Sequence, residues 1–193
     1  MAQNVNTNDV YQLGFGPWTL NIGAYNPTAA GGTPATSVGA VSGPATLTPN
    51  RTVVPVMQGA PAKEIDAFVS EESLEVAFTG IQWNLPLIQQ ALGGGPTPTV
   101  SGDATTFDMG NDVLMTQLSL QATHVMPNGG TVVLNVWKAR GNGTVPITIP
   151  PDNVHQASYT FMAVEGLSDW TNAALAAKSK LFQIVYTKPP AAP

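Results

Sequence analysis

The stretch LEVAFTGIQWNLPLIQQALGGG, Leu74 to Gly95, joins an alternating strand directly to a short amphipathic helix, and its reading decides the fold. Leu74, Val76 and Phe78 alternate with Glu75, Ala77 and Thr79, the period of two that belongs to a strand with one apolar and one wetter face. A helix is predicted at once behind it. Asn84 serves as N-cap, Pro86 falls in the first turn where its missing N–H is no loss, and Gly93 offers a left-handed stop. Leu85, Ile88 and Leu92 fall on one stripe, so the helix is expected to lie flat on a sheet with Gln89 and Gln90 turned away.

Upstream, Arg51 to Met57 and Ala62 to Ser70 read as further strands, with Pro55 and Pro61 pushing parts of them to an edge or a bend. The passage from Gly23 to Asn50 is rich in Gly, Ala, Pro, Thr and Ser and has too few large apolar groups to offset the entropy of ordering it alone. It is expected to be a long loop, or an arm that orders against a neighbouring subunit. Before it, a polar N-terminal arm leads into two short strand pieces between Gln12 and Ile22.

Downstream, Asp112 to Thr123 and Thr131 to Arg140 read as a hairpin closed by Met126 to Gly130. Leu118 and Leu120 are expected to face the core with Val132, Leu134 and Val136, leaving Gln117, Ser119, Gln121, Thr131 and Asn135 on a polar, uncharged side. Tyr159, Phe161 and Ala163 alternate in another strand, a short Ala-rich helix is expected between Asp169 and Lys178, and Phe182, Ile184 and Tyr186 mark a last strand before an extended Pro-rich tail. Roughly eight strands with two small helices predict a mainly β fold, an antiparallel sandwich or barrel with one or two short flanking α-helices. The chain length suits a single domain over residues 1–193.

Composition narrows the chemistry. Seven Lys and Arg stand against twelve Asp and Glu in 193 residues, a net charge of −5 that argues against tight binding to nucleic-acid phosphates. With no cysteine there is neither a disulfide framework nor a thiolate metal site. The polar amino terminus has no secretory character and no segment reads as a membrane span, so a protein made in the cytosol, with no membrane partner, is expected. His124 and His155 lack a His or Cys at metal-ligand spacing. Glu64, Asp66, Glu71, Glu72 and Glu75 form the one acidic cluster, which reads as a solvated or channel-lining face in preference to the carboxylate pair of a glycosidase. Asp108 to Asp112 lacks the spacing of an EF-hand, and Gly93 to Gly95 lacks the lysine of a P-loop. Asn50-Arg51-Thr52 and Asn142-Gly143-Thr144 match the glycosylation sequon, without a secretory route to use it. No catalytic residue, cofactor or metal is expected.

The order of elements resembles the phage tail tube proteins, the major tail proteins that stack as rings into the conduit of long-tailed phages. Three passages carry the resemblance: Glu71 to Gly93, similar to the family's strand, polar turn and short helix with an Ala-Leu-Gly stop; the long hairpin from Asp112 to Arg140; and Ala157 to Asp169 leading to the Lys180-Leu181-Phe182 strand. They cover about two thirds of the chain and are patterns of residue type more than fixed identities.

What the resemblance implies is a virion structural protein, six copies of which form a ring whose strands join edge to edge into a continuous inner barrel, which also removes exposed edges. The polar faces, Glu71, Ser73 and Glu75 with Gln117, Ser119 and Gln121, would line the lumen. A weakly acidic wall keeps DNA off the surface so that it slides. Leu74, Val76, Phe78, Leu118, Leu120, Val132, Leu134 and Val136 would pack under the helix of Leu85, Ile88 and Leu92. Implied partners are further copies of itself in rings and stacks, a tape measure protein, and tail terminator or baseplate proteins, with the phage tail as its location and DNA passing without specific binding. Two rivals remain open: a type VI secretion tube or other tail-ring protein, and a carbohydrate-binding β-sandwich using Trp18, Trp137 or Tyr25 as a sugar platform.

Overall fold

Period-two alternation and β-branched residues produce strands over most of the chain, and the protein is mainly β, with antiparallel sheets and one short helix among the described residues. The computed structural model describes residues 18–25, 33–94, 97–110, 115–127, 129–171, 173–176 and 180–189. The expected N-terminal arm, the strand piece before Trp18, the start of the hairpin at 112–114 and the tail from 190 onward lie outside these residues. In chain order the strands are β1 (Trp18–Ala24), β2 (Thr36–Ser37), β3 (Val41–Gln58), β4 (Lys63–Gly80), β5 (Thr99–Ser101), β6 (Ala104–Thr106), β7 (Gln117–Val125), β8 (Thr131–Gly141), β9 (Ile147–Thr148), β10 (Gln156–Ala163) and β11 (Gln183–Thr187), with helix α1 (Leu85–Ala91) after β4. The chain divides into two compact units, the first made of Met1–Val38, Leu118–Lys138 and Glu165–Pro193, the second of Gly39–Gln117 and Ala139–Val164.

In the first unit β1 pairs β2 on one side and β7 on the other, and β11 pairs β8. Leu20, Ile22, Leu118, Leu120, Leu134 and Val136 are buried, whereas Val132, opposite Tyr186 of the exposed strand β11, is only half-buried. The side expected to be open is partly covered: Asn135 and Trp137 are buried, and Trp137 meets Trp170 edge-on at 4.6 Å. The Ala-rich helix expected after Asp169 does not form over 169–171 and 173–176. The Asp169 carboxylate instead accepts from the Thr171 N–H and hydroxyl, each at 2.8 Å, and from the Ala173 N–H at 2.9 Å, closing a turn that brings Ser168 opposite Ala174. Such Asx turns compete with helix for the same backbone donors. These bonds, the Thr171 side chain foremost, hold the Asp169 carboxyl below the usual carboxylate range.

In the second unit β4 lies between β3 and β10, and the end of β8 adds outside β10 over Ala139–Gly141. Leu74, Val76 and Phe78 are buried, with the Phe78 ring 5.3 Å from Tyr159 and 6.1 Å from Phe161. Burial of this aromatic layer is worth about 1.5–3 kcal/mol per side chain, more than any surface ion pair here. Helix α1 packs against β10. Its N-cap is Asn84, whose side chain accepts from the Leu87 N–H at 3.1 Å, and Gly93 leaves it at φ 93°. The buried stripe is Leu87, Ile88 and Ala91; Leu85 and Leu92, expected on it, are half-buried, and Oε1 of Gln90, expected to turn away, is buried. Close approach at the C-terminal turn accounts for the rotation, because a Cβ on Gly141 would overlap the carbonyls of Gln90 and Ala91. The Gly143 N–H then donates to the Ala91 carbonyl at 3.1 Å, capping the helix from the end of β8.

Much of the passage expected to be a loop is strand. Val41–Asn50 runs straight into Arg51–Gln58 as β3, because pairing with β4 satisfies its backbone where its own side chains bury little. Pro44, Pro49 and Pro55 are tolerated since β3 is an edge strand whose outer side needs no donor. A separate small hairpin of β5 and β6 follows the helix.

Replacing Gly141 by Ala is expected to lower stability by about 1–3 kcal/mol, as overpacking against backbone does. Gly110→Ala, where an added Cβ meets nothing within 4 Å, is the control and stays within about 0.5 kcal/mol of the parent. Equal urea midpoints for the two variants would refute the close approach.

Candidate functional site

The second unit carries a surface that the described residues leave uncovered. Strand β10 pairs with β4 only from Glu75 to Gly80, while β3 follows β4 all the way to the Gln58–Lys63 turn. Beyond Leu74 the sheet is therefore a two-stranded ribbon. At about 3.3 Å per residue its nine residues from Asn50 to Gln58 reach roughly 30 Å. From Arg51 to Glu72 every residue is exposed except half-buried Val54.

The ribbon presents apolar side chains on both faces. Register places Val53 opposite Val69 and Pro55 opposite Ala67 on one face, and Val54 opposite Phe68 and Val56 opposite Asp66 on the other. Val53 is 57% exposed, Ile65 60%, Phe68 54% and Val69 44%. An isolated hairpin is marginal in water, and open apolar edges are templates for another chain. Each of these side chains is already about half covered, so burying the remainder would contribute about 1 kcal/mol per side chain, which added over the ribbon favours a partner. The acidic residues punctuate the ribbon: Glu64, Asp66, Glu71 and Glu72 all sit on its β4 side, and Arg51 on β3 holds Glu72 at 2.8 Å.

Glu71, Ser73 and Glu75, singled out from the sequence, share one face of β4, and Glu75 stands in register with Thr48 on one side and Met162 on the other. Further rows on the same face pair Thr46, Ala77 and Thr160, then Ser42, Thr79 and Ser158. This is a polar, hydroxyl-rich sheet face opposite the helix. The second expected triple is not uniformly open. Gln117 is exposed and Gln121 half-buried, but Ser119 is 1% exposed, its hydroxyl donating to the Gly23 carbonyl at 3.3 Å, so it does not belong to an accessible polar wall of this chain. Gln121 joins a row of amides invisible in the sequence: it stands opposite Asn21, donates to Asn135 at 3.2 Å, and Asn135 donates to Gln183 at 3.4 Å. The row keeps buried Asn135 satisfied.

The other candidates are dispersed. Trp137 is buried and Lys138 lies 5.4 Å above the Tyr25 ring, so neither offers a free sugar platform. His155 stacks on exposed Trp83 at 4.6 Å, and the Nε2 atoms of His124 and His155 are buried without a hydrogen-bond partner among the described residues. No group of three or more potential metal ligands occurs among the described residues, and no described helix is long and apolar enough to cross a membrane. No protein-family model matches the chain, and no curated protein matches it significantly.

Exchanging Val53, Phe68 and Val69 together for Ser is expected to leave the thermal midpoint of the isolated chain nearly unchanged, since exposed positions contribute within about 0.5 kcal/mol each. Self-association followed by sedimentation should be lost. A variant that associates like the parent would show that the ribbon is not a contact surface.

Proposed function

We propose that this chain is a structural subunit that assembles with copies of itself into the hollow tube of a tailed bacteriophage, six to a ring, with rings stacked into the conduit for DNA. The observation that carries the reading is the long two-stranded arm, with apolar side chains on both faces and no further strand beside it among the described residues, which suits a protein whose native state is an assembly. Partner strands would cover the arm's edges and faces, as association removes the edge problem.

The hydroxyl-rich face with Glu71, Ser73 and Glu75 is the candidate lumen wall. Its few charges are mostly acidic, which disfavours retention of phosphates and suits a surface past which DNA slides. Ser119 leaves the lumen set because it is buried within the subunit. The tape measure and the terminator or baseplate proteins of such a tail belong to the same proposal, as does location in the virion. A type VI secretion tube or another tail ring would use the same arm; tubes that stop at one or two layers would favour that reading.

Negative-stain electron microscopy over a range of concentrations tests the proposal directly. Hollow rings or tubes are the expected outcome, and monomers at every concentration that are retained on a glycan array would replace it with the binding-module reading. In assembled virions, Glu71→Lys with Glu75→Lys is expected to leave the subunit folded and to slow DNA delivery, read as reduced infectivity at equal particle number. Unaltered infectivity would remove this face from the lumen.

A further inference from the structure

Two open strand edges in this chain differ in charge. The first is the β4 side of the arm, Lys63–Leu74, which no described strand pairs. It carries Glu64, Asp66, Glu71 and Glu72, with Lys63 at its end. The second is the outer edge of β11, which among the described residues pairs only with β8. All five residues of β11 are exposed, Ile184 by 58%, together with Val185 and Tyr186. Lysines flank it on both sides: Lys180, paired with Glu165 at 2.7 Å, and exposed Lys188.

The same asymmetry runs through the whole chain. The segments of the first unit hold four basic and three acidic side chains, a net charge of +1, whereas those of the second hold three basic and nine acidic, a net charge of −6. A two-fold contact that laid arm against arm would bring acidic ribbons together, and like charges opposite one another destabilise a strand pair. A head-to-tail contact brings unlike charges together and leaves no edge repeated on itself.

We infer that β11 of one copy adds as a strand to the free β4 edge of the arm of the next copy. The inference rests on the self-assembly proposed above and specifies its contact. Backbone groups of both edges gain partners, and Ile184, Val185 and Tyr186 meet the apolar side chains of Ile65, Phe68 and Val69. The β4 side receives the strand because the acids lie there, while the arm portion of β3 bears only Arg51. Such a heterologous contact repeats from copy to copy, closing into a ring where the rotation allows.

Because the chain has no cysteine, introduced thiols report on single positions. Ala67→Cys and Thr187→Cys alter exposed residues of the arm and of β11, and an unchanged thermal midpoint checks that each variant is folded. The two are mixed at concentrations where the parent associates and treated with a short bis-maleimide. The mixture is expected to give a cross-linked dimer, the double variant a ladder, and either single variant alone no product above background. Lys188→Glu in the Thr187→Cys partner is expected to reduce the yield about two- to fivefold at low salt, as loss of an exposed ion pair does. Self-linking of Ala67→Cys, or rings and tubes in the microscope without the mixed product, would overturn this contact while leaving the tube reading in place. Absence of both product and assemblies would overturn the two together.

Discussion

Strand β4 is hydrogen-bonded along both edges from Glu75 to Gly80 and along one edge from Lys63 to Leu74, and the rest of the second unit follows from that inequality. Where both neighbours are present, Val76 and Phe78 are buried, Phe78 against the rings of Tyr159 and Phe161, and α1 packs against β10. Where no second described strand lies beside it, from Lys63 to Glu72, the same strand is exposed on both faces. One continuous strand is thus half buried scaffold and half exposed ribbon, with no loop between the two parts.

The helix side shows how narrow the tolerance is. Gly141 has no side chain, so the carbonyls at the end of α1 come down onto the sheet, and Gly143 returns a hydrogen bond to Ala91. Gly80 gives way in the same manner to the Tyr159 ring, 2.8 Å from where its Cβ would stand. With the apolar face spent on this packing, the opposite face is left to Thr46, Thr48, Thr79, Ser158 and Thr160, which form good strands without needing burial. Such a face suits a surface that must stay wet, and a nearly uncharged one suits a passage for a polyanion better than a basic one does.

Charge supplies direction where hydrophobic contact alone would not. Apolar ribbons associate with little preference for orientation, but acids gathered on β4 and lysines beside β11 make one pairing of edges better than its alternatives. Scarcity sharpens the effect: with one residue in ten charged, each cluster stands against a neutral background.

By itself the sequence determined the mainly β class, the Asn84-capped helix ending at Gly93, and the buried alternation of Leu74, Val76 and Phe78, because these depend on local periodicity and on residues with one dominant backbone role. It also showed strands over Arg51–Met57 and Ala62–Ser70 with a bend near Pro61, but not that they form one ribbon, since the expected loop before Arg51 joins it in a single 18-residue strand only when a partner strand satisfies both. Tertiary structure alone decided that Ser119 is buried, that Leu87 and Ala91 take the inner stripe in place of Leu85 and Leu92, that Asp169 closes a turn where alanines suggest a helix, and that four amides align across four strands. Each of these turns on which residues meet across strands or around a helix, and that register is set by contacts between segments far apart in the chain, which no local pattern contains.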